Sequence, residues 1–252
     1  MEPIAFYPNL EGFTPVQLYL FLAALRNYEP KIYDLIRELY EGIPYAFFEA
    51  NLTSIEEYSF WYFSNLREVH LPEGLKIIKN SSFVGCSSLQ VVSFPESLTS
   101  VGNAAFSECS SLQELQLPES LKSIGLDVFS NCSKLQELQL PKGMKVIQNN
   151  TFSGCSSLQV VSFPNSLEKI GNYAFSGCSS LQVVSFSNSL EKIGNYAFSG
   201  CSSLQVVSFS KGLKFIGWMA FARCSSLKEV YLPRGITIGK DVFPFKTEII
   251  YY

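Results

Sequence analysis

The sequence is poor in the residues that build metal and catalytic sites. It contains one histidine, at position 70, and none of its seven cysteines forms a C-x-x-C pair. Zinc sites use such pairs or nearby histidines, and nucleophilic catalysis needs a base held beside a serine or cysteine. We therefore expect no metal, no cofactor and no catalytic residue in this chain.

Charged residues are also scarce. They make up 16% of the chain, the net charge is -3 and the isoelectric point is about 5.4. A surface that binds nucleic acid needs clustered lysine and arginine to replace the counterions of the phosphates. Nucleic acid is therefore not an expected partner.

Long apolar runs are missing as well. The longest, from Val16 to Leu25, is interrupted by Gln17 and covers roughly half of the ~20 residues that span a bilayer, so no membrane span is expected. The first thirteen residues hold Glu2 and Glu11, two prolines and no lysine or arginine, unlike a signal peptide. We expect a cytoplasmic protein from the chain as given, and a surface or secreted one if an export segment has been removed.

The cysteines that are present follow one period. Every successive pair is 23 residues apart, which is typical of stacked repeats that bury their apolar faces against one another. About eight units are recognisable from Phe63 to Phe245, with a degenerate ninth before them. The cysteines are Cys86, Cys109, Cys132, Cys155, Cys178, Cys201 and Cys224.

Apolar residues recur at fixed places within each unit and define its inward side. Because side chains alternate along a strand, Val161 and Phe163 share one face, and Val160 and Ser162 lie on the other. This pattern predicts one short parallel strand per unit. In the unit 155–177 the inward places are Leu158, Val161, Phe163, Leu167, Ile170, Ala174 and Phe175.

The unit resembles the BspA-like, Treponema-type leucine-rich repeat, whose form is L-x-x-I-x-L-P-x-x-L-x-x-I-G-x-x-A-F-x-x-C. The resemblance covers about residues 63 to 245. It implies a leucine-rich-repeat solenoid with a curved parallel β-sheet of about eight to nine 23-residue units. Members of this family are often surface proteins that attach to host components or other cells, which implies a binding role.

The N-terminal residues break the period and predict an α-helical cap. Thr14 is placed to cap a first helix over about 15–27, with Pro15 at its first position and Gln17 completing a capping box. A second apolar-periodic helix from Ile32 closes near Gly42 and Pro44. The alternative is an independent docking module. The predicted organisation is a helical hairpin cap over 1–44, a degenerate first repeat over 45–62, the repeat array over 63–245 and a closing strand over 246–252.

The cysteines are expected to form a ladder of buried, reduced thiols. Equivalent residues of neighbouring repeats lie about 4.8 Å apart, but their Cβ vectors run parallel rather than toward each other, which disfavours disulfides. Phe63 fills the cysteine place in the first recognisable repeat, so the place is apolar.

One pair of acids has the spacing of a possible enzyme site. Glu114 and Glu137 occupy the same outward place in adjacent repeats, about 5 Å apart, near the carboxylate separation of retaining glycosidases. The sequence builds no pocket around them, and His70 lies at an outward strand place. We favour a solvated charge ladder over catalysis.

The outward strand face is the predicted partner-binding surface. Three valines stand there in consecutive repeats, with acids on both sides and small hydroxyl residues alongside, which leaves a shallow apolar lane. High strand propensity and duplication would also place valine there, because repeats 155–177 and 178–200 differ only at Pro164 and Ser187. The predicted contacts are Val91, Glu114, Glu137, Val160, Ser162, Val183, Ser185, Val206, Ser208, Glu229 and Tyr231.

Binding of a protein partner is the function that these patterns favour most, because the outward residues of a repeat array are free to vary. Two alternatives remain. One is a self-associating structural protein. The other is a surface adhesin for host protein or glycan, for which exposed aromatic residues along the sheet are expected; only Tyr231 meets that requirement.

Overall fold

The chain forms a parallel β-solenoid of about nine turns of about 23 residues, as a computed structural model describes it for residues 45–47 and 52–252. The predicted leucine-rich-repeat solenoid is confirmed, and the described residues contain no helix. The helical cap predicted over 1–44 lies outside the described residues. Each 23-residue coil of the solenoid is called a rung here and has three sides. Two sides carry short strands, and the third consists of hydrogen-bonded chain turns.

The first side of the solenoid carries the longer strands, and all its pairings are parallel. It is divided into a three-stranded sheet and a seven-stranded sheet. Its strands are β1 (Tyr45–Phe47), β3 (Glu68–His70), β5 (Val91–Ser93), β7 (Glu114–Gln116), β9 (Glu137–Gln139), β11 (Val160–Ser162), β13 (Val183–Ser185), β15 (Val206–Ser208), β17 (Glu229–Leu232) and β19 (Glu248–Tyr251).

The second side carries a two-residue strand in each rung, so the prediction of one strand per unit was wrong. The inward residues Leu167 and Ile170 are three residues apart, so the sequence here does not show the two-residue alternation of a strand. The backbones of neighbouring rungs nevertheless lie at strand spacing and pair. The strands are β2 (Ser54–Ile55), β4 (Ile77–Ile78), β6 (Ser100–Val101), β8 (Ser123–Ile124), β10 (Val146–Ile147), β12 (Lys169–Ile170), β14 (Lys192–Ile193), β16 (Phe215–Ile216) and β18 (Thr237–Ile238).

The third side consists of stacked turns that satisfy their backbone groups in the next rung. The Phe175 N–H donates to the Ala197 carbonyl at 2.7 Å, and the Tyr173 N–H donates to the Asn195 carbonyl at 2.9 Å. Most of these turns contain two residues with a positive φ, as Tyr173 and Gly177 do. The turns therefore bind neighbouring rungs together without forming a sheet.

The core lies between the three sides and is organised around a ladder of phenylalanine rings. Phe175 is fully buried and stacks on Phe152 at 5.3 Å and on Phe198 at 5.2 Å. Of the seven predicted inward residues, only Phe163 is partly exposed. The ladder runs through Phe60, Phe83, Phe106, Phe129, Phe152, Phe175, Phe198, Phe221 and Phe243.

All seven cysteines are buried and free, as predicted. Each thiol donates to a phenylalanine carbonyl in the preceding rung, as the Cys178 Sγ does to the Phe152 oxygen at 3.3 Å. Loss of water around the sulfur raises the pKa of Cys155 to about 12. Burial likewise raises the pKa of Cys86, Cys109, Cys132 and Cys178.

These buried thiols predict both low reactivity and alkaline sensitivity. At pH 8 the native protein is expected to leave a polar thiol reagent almost unreacted, whereas the unfolded chain should titrate seven thiols. Because burial holds the pKa of the five thiols named above over the unfolded value of about 8.5, the unfolded chain loses protons first as pH rises. The free energy of unfolding should then fall, by at most about 1.4 kcal/mol per pH unit for each of these thiols. Urea melts between pH 7 and 11 measure the trend; fast native labelling or a flat pH profile would contradict it.

Candidate binding surface on the outward strand face

The outward side chains of the first side form two parallel rows that run along the solenoid. The rows follow from the strand alternation, because the second residue of β3 and of each first-side strand from β7 to β17 is buried in the core. The first row is Glu68, Val91, Glu114, Glu137, Val160, Val183, Val206, Glu229 and Glu248. The second row is His70, Ser93, Gln116, Gln139, Ser162, Ser185, Ser208, Tyr231 and Ile250.

Three consecutive valines form the apolar centre of the first row. Val160, Val183 and Val206 are 55%, 62% and 46% exposed, whereas the neighbouring Val184 on the same strand as Val183 is buried. Val160 lies opposite Val183 in a parallel pair, and β13 pairs with β15 in the same register. The structure therefore brings the predicted valines side by side on an open surface, here called the valine row.

Acidic residues bound the valine row at both ends. Glu137 lies opposite Val160 and Glu114 opposite Glu137, while Glu229 lies opposite Val206 and Glu248 opposite Glu229. The sequence pattern missed Glu248, because the last rung is short and places this residue outside the 23-residue frame. With it, the row has two acids on each side of three valines.

The second row is uncharged beside the valine row. Ser162, Ser185 and Ser208 lie in register on three successive strands. Tyr231 follows Ser208, lies opposite Ile250 and is only partly exposed. Its hydroxyl donates to the Glu229 carboxylate at 2.8 Å, and this hydrogen bond raises the pKa of the Tyr231 phenol. Tyr231 is thus held against the acidic end of the surface.

Val91 is separated from the other predicted contacts by the division of the sheet. It lies on β5, which pairs with β3 but not with β7. A groove of about 460 Å³ opens at this division, lined by Val91, Val92, Phe94 and Glu114 among others. The remaining ten predicted residues lie on the seven-stranded sheet.

The acids and the histidine of the outward face lie on an open surface. Glu114 and Glu137 are opposite each other, as predicted, but both are exposed and line an open trough of about 420 Å³. His70 is exposed, with its Nε2 at 3.5 Å from the Glu68 carboxylate. Within residues 52–252 no three histidine, cysteine or acidic side chains group as metal ligands would. No helix able to cross a bilayer occurs among the described residues.

The chain matches a protein-family model and is similar to solved structures. Residues 41–159 and 145–250 match the family model described as BspA type leucine rich repeat region, in six copies. A leucine-rich-repeat protein of T. pallidum is 25% identical with a TM-score of 0.52, and the match covers 73% of this chain and 78% of that one. The pneumococcal vaccine antigen PcpA is 26% identical with a TM-score of 0.48, over 76% of this chain and 58% of that one. A comparison with curated proteins found no match.

Proposed function

Because the chain belongs to the BspA-type leucine-rich-repeat family, we propose that it is a non-catalytic binding protein that holds a protein partner on its outward strand face. The observation that carries this proposal is the valine row. Three exposed valines in unbroken register present a continuous apolar surface, whereas isolated exposed apolar residues are ordinary on protein surfaces.

The charges around the valine row favour a different chain as partner over a second copy of this one. If two copies met face to face about a twofold axis through Val183, Glu137 of one would lie near Glu229 of the other. Like charges brought together in this way oppose association. A partner with an apolar centre and basic ends complements both features.

The spacing of the acids predicts the length of the partner segment that would cover the valine row. Glu137 and Glu229 are four rungs apart, which is about 19 Å at a strand spacing of about 4.8 Å. An extended chain covers about 3.3 Å per residue. The proposed ligand is therefore an extended segment with two lysine or arginine residues about six positions apart and apolar residues between them.

A random-peptide display library tests this proposal without knowledge of the natural partner. Selection on the full chain is expected to enrich peptides with basic ends and an apolar centre. The substitution Val183→Glu should weaken binding of the selected peptides at least tenfold, because it sets an unpaired acid among the apolar contacts. The melting temperature should stay nearly constant, since the Val183 side chain contributes little to the core.

The matched control is Ile77→Glu, which places the same charge at an exposed position of β4, on the second side. This variant should bind the selected peptides as the wild type does. Equal binding by the Val183→Glu variant, or enrichment of acidic peptides, would refute the proposed surface. A concentration-dependent dimer that Val183→Glu disrupts would instead establish self-association.

A further inference from the structure

An exposed aromatic stack lies on the third side of the solenoid, away from the valine row. Tyr173 and Tyr196 are parallel with ring centroids 4.7 Å apart, and Trp218 meets Tyr196 edge-on at 5.1 Å. Tyr173 is 41% exposed and Trp218 is 44% exposed. These three residues are called the aromatic stack below.

The backbone makes the two tyrosines unusual choices at these places. Tyr173 and Tyr196 have φ values of 56° and 54°, in the left-handed region where bulky side chains are uncommon. Small or short polar residues fill the same place in the four rungs before Tyr173, namely Ser81, Ala104, Asp127 and Asn150, whereas the rung before these has Tyr58. The need to form the turn therefore does not account for tyrosine here, and neither does core packing.

One ring face at the end of the aromatic stack carries no second ring. The rung before Tyr173 has Asn150 at the equivalent place, so the row of rings stops there. Within the described part of the chain, Tyr173 stacks only on Tyr196, and its hydroxyl donates no hydrogen bond. A flat ligand can occupy the next position of the stack, above the shorter Asn150.

Side-chain amides with free donors run beside the aromatic stack. The Oδ1 atoms of Asn149, Asn172 and Asn195 each accept the backbone N–H of the next rung, at 2.8, 2.8 and 2.9 Å. This bond fixes the orientation of each amide, and none of the three Nδ2 groups has an acceptor among residues 52–252. The chain thus presents three uncommitted NH₂ groups, one per rung.

We propose that the aromatic stack and its asparagines bind a neutral glycan. The C–H face of a sugar ring stacks on the open face of Tyr173, because the negative face of the π system attracts polarised C–H groups. Sugar hydroxyl oxygens accept from the Nδ2 groups of Asn149 and Asn172, and successive sugars follow the rungs. The segments 171–174 and 194–197 contain no charged residue, which favours an uncharged ligand.

This site is independent of the proposed protein-binding surface, because its residues belong to the third side of the rungs. Saturation-transfer NMR on the full chain provides the test, with neutral hexasaccharides of β-1,4-linked glucose, β-1,4-linked N-acetylglucosamine and α-1,6-linked mannose as probes. At least one should bind, with the strongest transfer to protons on one ring face. The substitution Tyr173→Asn should weaken that binding at least tenfold.

The chain itself supplies the controls. Asn150 shows that asparagine suits this turn, so the Tyr173→Asn variant should fold as the wild type does. Tyr62 is likewise exposed with a positive φ of 57°, and Tyr62→Asn should leave glycan binding unchanged. Val183→Glu should also leave it unchanged, which separates this site from the valine row. The proposal would be overturned if the wild type bound none of the three probes, or if Tyr173→Asn bound them as well as the wild type does. A change in the oligomeric state of Tyr173→Asn without a change in glycan binding would also overturn it.

Discussion

Replacing Phe175 by alanine is expected to lower the free energy of unfolding by about 3 to 5 kcal/mol, the range for removing a buried phenylalanine side chain. Phe175 is fully buried, stacks on rings in both neighbouring rungs and meets Phe163 edge-on at 5.5 Å. Since each rung of a solenoid is stabilised by its neighbours, the cavity weakens two interfaces at once. Urea unfolding followed by circular dichroism measures the loss.

The control for this substitution is Phe245→Ala. Phe245 is 102% exposed, so the same change of side chain there leaves no cavity and should alter stability by no more than about 0.5 kcal/mol. A loss below about 1 kcal/mol for Phe175→Ala would show that the ring ladder tolerates a gap and that the core is held mainly by its aliphatic residues.

The solenoid and the direction of its side chains could be predicted from the sequence because both follow from a strict period. A 23-residue repeat places equivalent residues one above another, so Val160 and Val183 had to share a row once their strands were identified. The second strand of each rung could not be predicted in this way. Its two residues, such as Lys169 and Ile170, are too few to show an alternating pattern, and only the neighbouring backbone completes the pairing.

The features that the period did not reveal depend on departures from it. Glu248 joins the first row because the last rung is shortened, and the sequence alone does not indicate where the missing residues fall. The aromatic stack was missed for another reason. Exposed aromatic residues for glycan contact were expected along the sheet, whereas Tyr173, Tyr196 and Trp218 project from turns, where the two-residue alternation of a strand does not apply.

A steric rule links asparagine in one rung with glycine in the next. A Cβ atom on Gly171 would lie 2.6 to 2.7 Å from the Gln148 carbonyl carbon and from the N and Oδ1 of Asn149, closer than real Cβ contacts. Glycine follows asparagine by 22 residues in the same way at Gly102, Gly125, Gly194 and Gly217.

At two places the chain lacks both the asparagine and the glycine of this pair. Gln148 replaces the glycine where the preceding rung has Leu126 instead of asparagine. The second side is divided at this point, because β8 and β10 do not pair. Lys79 likewise replaces the glycine where the preceding rung has Glu57, yet β2 and β4 pair there, so a side chain at this place does not by itself prevent strand pairing.

From the close contacts around Gly171, the substitution Gly171→Ala is expected to destabilise the fold by about 1 to 3 kcal/mol, the usual cost of overpacking. Part of the clash is with backbone atoms, which cannot turn aside as a flexible side chain would. Gly143→Ala is the matched control, since a Cβ there meets nothing within 4 Å, and restricting the unfolded chain should stabilise it by about 0.4 to 1 kcal/mol. Opposite signs for the two variants in urea melts are the expected result. If Gly171→Ala proved as stable as the wild type, the rungs would have room to separate locally, and the asparagine–glycine pairing would have another cause.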